Sequence, residues 1–570
     1  MAKFLIGVVT GIILVGLFLL IGVFALARLR EKPPTVADNS TLILELDGEL
    51  PERAPVEFPI PFLQRKTPPT IADIWSTLRK AAADRHIRAI VLEPHDMQIS
   101  WGKLQEIRAD LETFKKSGKP LYAYLKTPGT REYYLATAAD HVSMDPEDEL
   151  NLKGMRFELL FFKKTLDKIG VHVEIEHAGK YKDFGDMFTR TSMSAETKEV
   201  LNSIIDELYG HLVATIASAR KKTPDQVRAI IDQGPFLSPQ ARNNGLVDAL
   251  LYEDQMYDKL KQRLNSGDLR KISLRDYMRV PAESVGKHRI ALVTGEGGIT
   301  RGESDDFSGD NGIQSEDFDK LLRRVGNDSG IKGVIVRIDS PGGEVFASDA
   351  IWREMNLLSK KKPMVISMSD TAASGGYYIS MTGDSVLAYP GTFTGSIGVV
   401  FGKANFHGLY DKLGVTKDLL LRGRFAAIDS DYQPLTPPEQ QKLHDDIDQN
   451  YRSFVTKVAQ ARRRRFEQIE PVAQGRVWLG SQAKENGLVD ELGGLDRAVA
   501  LVKEKAKIAK SDTVTLVSYP PKRSFVDILF GHAGEEAMDV RFAGLLKRWQ
   551  ARLWSRGGLM RLMPYTIEVR

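Results

Sequence analysis

Beyond residue 40 the chain repeats itself at an offset of about 242 to 244 residues, and this duplication constrains the fold more than any other feature. Asn244-Gly245-Leu246-Val247-Asp248-Ala249-Leu250 returns as Asn486-Gly487-Leu488-Val489-Asp490-Glu491-Leu492, and Tyr133-Tyr134-Leu135 returns as Tyr377-Tyr378-Ile379. Ile87-Arg88-Ala89-Ile90-Val91-Leu92 likewise matches Ile331-Lys332-Gly333-Val334-Ile335-Val336. A chain of 570 residues is too long for one core. Inside each copy, β-branched runs such as Ala89 to Leu92 and Val334 to Ile338 alternate with helical stretches such as Ile71 to Ala83 and Asp317 to Val325. That alternation is an α/β pattern with largely parallel strands. The expected organisation is two tandem α/β domains over 41–265 and 288–510, joined by a charged segment over 266–287 and followed by an extension over 511–570.

The first 32 residues read differently. Phe4 to Ala27 is uncharged and almost wholly apolar, and as a helix it rises about 36 Å, enough to cross a bilayer. A transmembrane anchor over 1–32 and a short linker over 33–40 are expected, with the lipid bilayer as a partner. Arg28, Arg30 and Lys32 follow the apolar run while only Lys3 precedes it, so the local charge count by itself keeps the bulk of the chain in the cytoplasm.

Composition removes several classes of function. With 79 Lys+Arg against 75 Asp+Glu, no nucleic-acid partner is indicated. The absence of cysteine excludes thiolate nucleophiles and thiolate metal sites, and the ten histidines include no pair at helical spacing beside a glutamate. Neither a metal nor another cofactor is expected.

The repeat shows where chemistry was kept and where it was lost. Ser374 sits in Asp370-Thr371-Ala372-Ala373-Ser374-Gly375-Gly376-Tyr377, where small neighbours allow a sharp turn and close approach of a substrate. Taken alone, it is equally a helix cap. Upstream, Asp339-Ser340-Pro341-Gly342-Gly343 is a turn whose paired glycines can aim amides at a developing oxyanion. The first half has Thr130 opposite Ser374, Arg131 and Glu132 opposite the two following glycines, and His95-Asp96-Met97-Gln98-Ile99 in place of the turn. The converse loss lies downstream, where Gly179-Lys180-Tyr181-Lys182 aligns with Gly423-Arg424-Phe425-Ala426. Each half lacks what the other retains, which points to one pair per chain: Ser374 as nucleophile and Lys182 as general base. A lysine serves as a base near neutral pH only if burial disfavours its ammonium; Tyr181, Phe184, Met187 and Phe188 are expected to supply the apolar surroundings. Lys180, matched by Arg424, reads as a surface charge.

Together with Thr394-Gly395-Ser396-Ile397-Gly398, these motifs in this order resemble the long, duplicated form of the signal peptide peptidase A family, also called protease IV, over roughly residues 40 to 510 and the anchor. The resemblance implies Clp/crotonase-like domains and a Ser–Lys serine endopeptidase that degrades cleaved signal peptides and other short hydrophobic peptides through an acyl-enzyme. It further implies Gly343 and the Gly375 amide as oxyanion donors, Gly342 as the residue shaping their turn, and Ser396 as an orienter of the lysine. It implies a homotetramer, and a catalytic part on the periplasmic side of a bacterial inner membrane, against the local charge count. Two other readings stand beside it: a crotonase-like acyl-CoA enzyme, which would have no need of Lys182, and a catalytically silent membrane scaffold. The extension lies outside the resemblance. Its Phe542, Leu545, Leu546, Trp549, Leu553 and Trp554 among Arg and Lys read as a basic amphipathic helix, packed on the protein, on a membrane surface or over the catalytic bowl.

Overall fold

The computed structural model describes residues 34–55, 67–281, 286–303, 312–521 and 560–563, together with helical positions scattered between 7 and 22. Most of the expected anchor and the amphipathic stretch from Asp527 to Trp554 lie outside the described residues. Among the described residues no helix is long and apolar enough to cross a membrane.

Each half is built on its own parallel sheet. In the first, the spatial order is Ala249–Leu250, His141–Met144, Leu121–Leu125, Ile87–His95, Ser40–Asp47 and Arg270–Ser273. In the second, Val514–Tyr519, His288–Glu296, Ile331–Ser340 and Met364–Ala373 run side by side. Ser385–Ala388 then pairs with Met364–Ala373 and with Glu491–Leu492. The central strands are apolar runs because both faces are covered: Ile90, Val91 and Leu92, like Val334, Ile335 and Val336, have no exposed surface. Helices supply the cover, and several carry their own start signals. Thr70 and Asp73 cap each other's amides at the start of Ile71–Ala83, and Ser194 caps the long helix Ala195–Arg220.

The duplication reaches further than the repeated motifs. Arg270–Ser273, inside the stretch expected to join the halves, pairs with Ser40–Asp47 as an edge strand. Val514–Tyr519, in the extension, pairs in the same way with His288–Glu296.

A third sheet ties the halves together. Its order is Ile313–Gln314, Ile299–Thr300, Gly342–Glu344, Met560–Leu562, Val399–Asn405 and His172–Ala178. The last two strands run antiparallel from Val399 opposite Ala178 to Asn405 opposite His172, so a first-half strand is fastened to a second-half one. Buried charges lock the same seam. Arg337, with no exposed surface, is paired with Glu52 and Glu106 of the first half, and Lys103 of the first half lies 2.7 Å from Asp339 of the second. Asp370 accepts the Ser100 and Lys103 amides at 2.9 and 2.7 Å, at the start of the first-half helix Trp101–Lys115. Burial nevertheless pushes the Asp370 carboxyl up to about 6.

Candidate active site

The strand Met364–Ala373 runs directly into Ser374, and the helix Gly375–Ile379 begins at the next residue. To make that elbow Ser374 adopts φ 55° and ψ −112°, a conformation uncommon for a residue with a side chain. Glycines are needed around it. A Cβ on Gly376 would lie 2.6 Å from the Ser340 carbonyl oxygen, and one on Gly375 would lie 2.8 Å from Ser348 Oγ and 3.0 Å from the Gly343 amide nitrogen. Gly342, at φ +104°, holds the turn that sets Gly343 beside this elbow, and a Cβ placed on it would lie 2.7 Å from the Gly375 amide nitrogen. The Gly343 and Gly375 amides thus converge on one corner next to Ser374.

The lysine arrives from the other half. The first-half strand His172–Ala178 is held against Val399–Asn405, and the chain leaves it through Gly179 at φ +110°. The Tyr181 amide then donates to the Gln474 carbonyl at 2.8 Å, and the next side chain points inward. Lys182 Nζ lies 2.8 Å from Ser374 Oγ, 2.9 Å from Ser396 Oγ and 2.9 Å from the Ser396 carbonyl oxygen. Lys182, Ser374 and Ser396 have no exposed surface. Burial drives the Lys182 ammonium well below its ordinary pKa; the nearby Asp183 carboxylate opposes the shift and the Arg561 guanidinium adds to it. Asp183 itself is pushed up to about 6, again by burial.

All six residues expected at the site are therefore brought to one place: Ser374, Lys182 and Ser396 in mutual contact, with Gly342, Gly343 and Gly375 beside them. The packing around the lysine departs from expectation. Tyr181 turns toward Glu199, 3.1 Å from its hydroxyl, and Phe184 and Phe188 pack edge to face on each other. The lysine stem is enclosed instead by backbone, since a Cβ on Gly475 would lie 2.6 Å from Lys182 Cβ and one on Gly398 would lie 2.9 Å from its Cδ. Gly475, at φ +75°, is a site residue that motif reading missed; a glycine outside a repeated motif gives no signal by itself. Lys180 is exposed, as expected of a surface charge.

A cleft of about 1030 Å³ opens beside this corner, lined among others by Leu160, Phe162, Phe184, Met187, Pro341 and Phe393. Its walls are mostly apolar, and both halves contribute. Among the described residues no cluster of His, Asp or Glu is arranged to hold a metal ion.

A serine hydroxyl against a buried lysine, with two amides converging alongside, is the equipment of acyl transfer. The comparisons agree with it. The model of "Peptidase family S49" matches twice, over residues 113–266 and 356–509. The chain belongs to peptidase family S49. The chloroplastic serine protease SPPA of Arabidopsis thaliana is 33% identical over 505 residues, covering 87% of this chain and 74% of that protein. Protease 4 of Salmonella typhi is 34% identical over 455 residues, covering 77% of this chain and 72% of the relative. Solved ClpP1 from Listeria monocytogenes is 19% identical and aligns with 36% of this chain and 91% of that one, at a TM-score of 0.21, too low to bear on the fold. This S49 chain is accordingly a serine protease of the SppA type, built as a duplicated α/β fold and acting on peptides.

Proposed function

We propose that this S49 protease works through a Ser374–Lys182 dyad and degrades short apolar peptides, cleaved signal peptides among them, in domains of the Clp/crotonase type. The observation that carries the reading is the 2.8 Å contact between Lys182 Nζ and Ser374 Oγ in full burial. A buried lysine with no carboxylate in contact is neutral near pH 7, and a neutral amine has two N–H groups and one lone pair. Ser396 offers two acceptors, its Oγ and its carbonyl oxygen, which leaves the lone pair facing the Ser374 hydroxyl. Lys182 takes the Ser374 proton as Oγ attacks the substrate carbonyl, and returns it to the leaving amine. Water then releases the acyl-enzyme by the same route. Gly343 and Gly375 amides receive the oxyanion, Gly342 shapes their turn, and Ser396 orients the lysine. No metal or other cofactor takes part in this scheme.

The apolar cleft favours hydrophobic substrates, and the crotonase-like acyl-CoA alternative leaves the buried lysine without a purpose. The test is capture by a serine-directed phosphonate: it should label Ser374 in the native chain and nothing in Ser374→Ala, and labelling elsewhere with hydrolysis intact would overturn the assignment.

The same reading has the apolar run Phe4 to Ala27 anchoring the chain with its catalytic part periplasmic, on the outer face of a bacterial inner membrane. Alkaline phosphatase and β-galactosidase fusions after Arg30 decide the orientation; activity of the latter alone would reverse it. Assembly into a ring of four follows from the repeat. Within the chain, His172–Ala178 pairs with Val399–Asn405. The repeat offset assigns these strands the counterparts 416–422 and 155–161, which are not paired with each other. Leu420, 94% exposed, and Leu160, 70% exposed, lie in these two segments. Pairing them between neighbouring copies repeats the internal contact head to tail and closes a ring. Leu420→Asp should lower the assembled mass to that of one chain; an unchanged mass counts against this interface.

A further inference from the structure

One short segment of the extension lies where a substrate should be. Met560–Leu562 is inserted between two strands, antiparallel to both: Gly342, Gly343 and Glu344 face Leu562, Arg561 and Met560 on one side, and Val400 faces Met560 on the other. Extended peptides add to sheet edges in this way, and edge strands flanking a nucleophile are where a protease holds its substrate. The register is informative. The Met563 amide donates to the Pro341 carbonyl at 2.8 Å. Hydrogen-bonded pairs recur every second residue in an antiparallel ladder, so Gly343 and Arg561 form the next such pair. The Arg561 carbonyl oxygen lies against Gly342, where a Cβ would overlap it, and that same Cβ position is 2.7 Å from the Gly375 amide nitrogen. One carbonyl of the chain is thus directed at the corner where the Gly343 and Gly375 amides converge.

The side chain of that residue fills a pocket. Arg561 is 2% exposed, with its guanidinium 3.7 Å over the Tyr378 ring and 4.8 Å over that of Phe454. Asp349, close enough to favour its charge, stands at the same end. Leu562 and Met563 continue along the cleft on the far side of the carbonyl.

We propose that Met560–Met563 is bound as the enzyme's own substrate, with the Arg561–Leu562 peptide bond presented to Ser374, so that the processed chain ends at Arg561. This rests on the Ser374–Lys182 reading above. Ser374 Oγ bonds to the Arg561 carbonyl carbon while its proton passes to Lys182. The C–N bond to Leu562 then breaks as Lys182 returns the proton to the Leu562 nitrogen. The nine-residue peptide Leu562–Arg570 departs. One water, deprotonated by Lys182, attacks the ester, leaves Arg561 with a free carboxylate and restores the Ser374 hydroxyl.

The test is the intact mass of the purified full-length chain beside its Ser374→Ala variant, both checked for folding by gel filtration and both assayed on an added fluorogenic peptide. The native chain should lose Leu562–Arg570, the released peptide being identified by its own mass, and the variant should retain all 570 residues. A native chain that hydrolyses the added peptide but keeps its tail overturns the self-cleavage and leaves the dyad standing. So does trimming at another bond, or trimming of the Ser374→Ala variant as well. A folded native chain inert toward both substrates overturns the dyad and the self-cleavage together. Leu562→Pro supplies a second check, because a proline on the leaving side should reduce trimming more than tenfold; undiminished release of the tail contradicts the assignment of the bond.

Discussion

In the second half a strand runs directly into Ser374 and on into the helix Gly375–Ile379. The first half ends the matching strand at Leu125, and a loop from Lys126 to Gly129 precedes the helix Thr130–Ala136. Gly129, the residue before that helix, has an ordinary φ of −90°. Where the second half has Gly376, the first has Glu132, whose carboxylate accepts the Met97 amide at 2.6 Å and the Gly129 amide at 2.9 Å. The silent half has thus filled its corner with an internal anion, while the other keeps amides for a substrate oxygen. Away from this corner the two are alike: Tyr133 donates to the Leu246 carbonyl at 2.8 Å, and Tyr377 to the Leu488 carbonyl at 2.9 Å. Duplication kept the frame in both copies and divided the chemistry between them, a serine with its amides in one and a lysine in the other.

The sharpest way to break this division is to remove the lysine. Lys182→Met should lower kcat/KM for a fluorogenic peptide by about 10²–10⁴-fold with the fold intact, and adding Ala426→Lys should restore nothing. Rescue by the second substitution would show that the halves are interchangeable. Gly343→Ala, whose Cβ would meet Ile299 Cα-side backbone 2.6 Å away at its nitrogen, should cost about 10²–10³-fold, mostly in kcat; a change confined to KM would remove Gly343 from the oxyanion corner. Thr130→Ser in a Ser374→Ala chain should recover no hydrolysis. A smaller loss, about tenfold at most, is expected for Ser396→Ala, which takes one of the two acceptors from Lys182 and keeps the backbone one.

The finest prediction concerns pH. Neutral Lys182 is the active form, so kcat/KM should fall as pH drops through its lowered pKa and the ammonium forms. The Asp183 carboxylate favours that ammonium, so Asp183→Asn should move the acid limb to lower pH. An acid limb unmoved, or moved upward, would separate Asp183 from the lysine's titration.

The frame was readable from the chain because buried parallel strands are runs of apolar residues, such as Val334-Ile335-Val336, that recur at the repeat offset. The partners at the centre were readable because substitution was complementary: Thr130 opposite Ser374 and Ala426 opposite Lys182 are intelligible only if each half needed one of the pair. Other features had no local signal. Arg270–Ser273, with Arg and Lys exposed at an edge, reads as a charged connection, and only its pairing with Ser40–Asp47 makes it a strand. Gly475 matters because Lys182 packs against its backbone from 293 residues away, a contact no spacing rule anticipates. Met560–Leu562 is too short to announce itself, and its conformation is set by the strands on either side.

The central claim is that one chain assembles its own active site from both halves. Ser374→Ala and Lys182→Met chains, produced together and purified as a mixed assembly, test it most directly on a hydrophobic fluorogenic peptide. The account predicts no hydrolysis above that of either variant alone, because every serine-bearing chain would lack its own lysine. Recovered hydrolysis in the mixture would mean that serine and lysine meet between chains, and would contradict it.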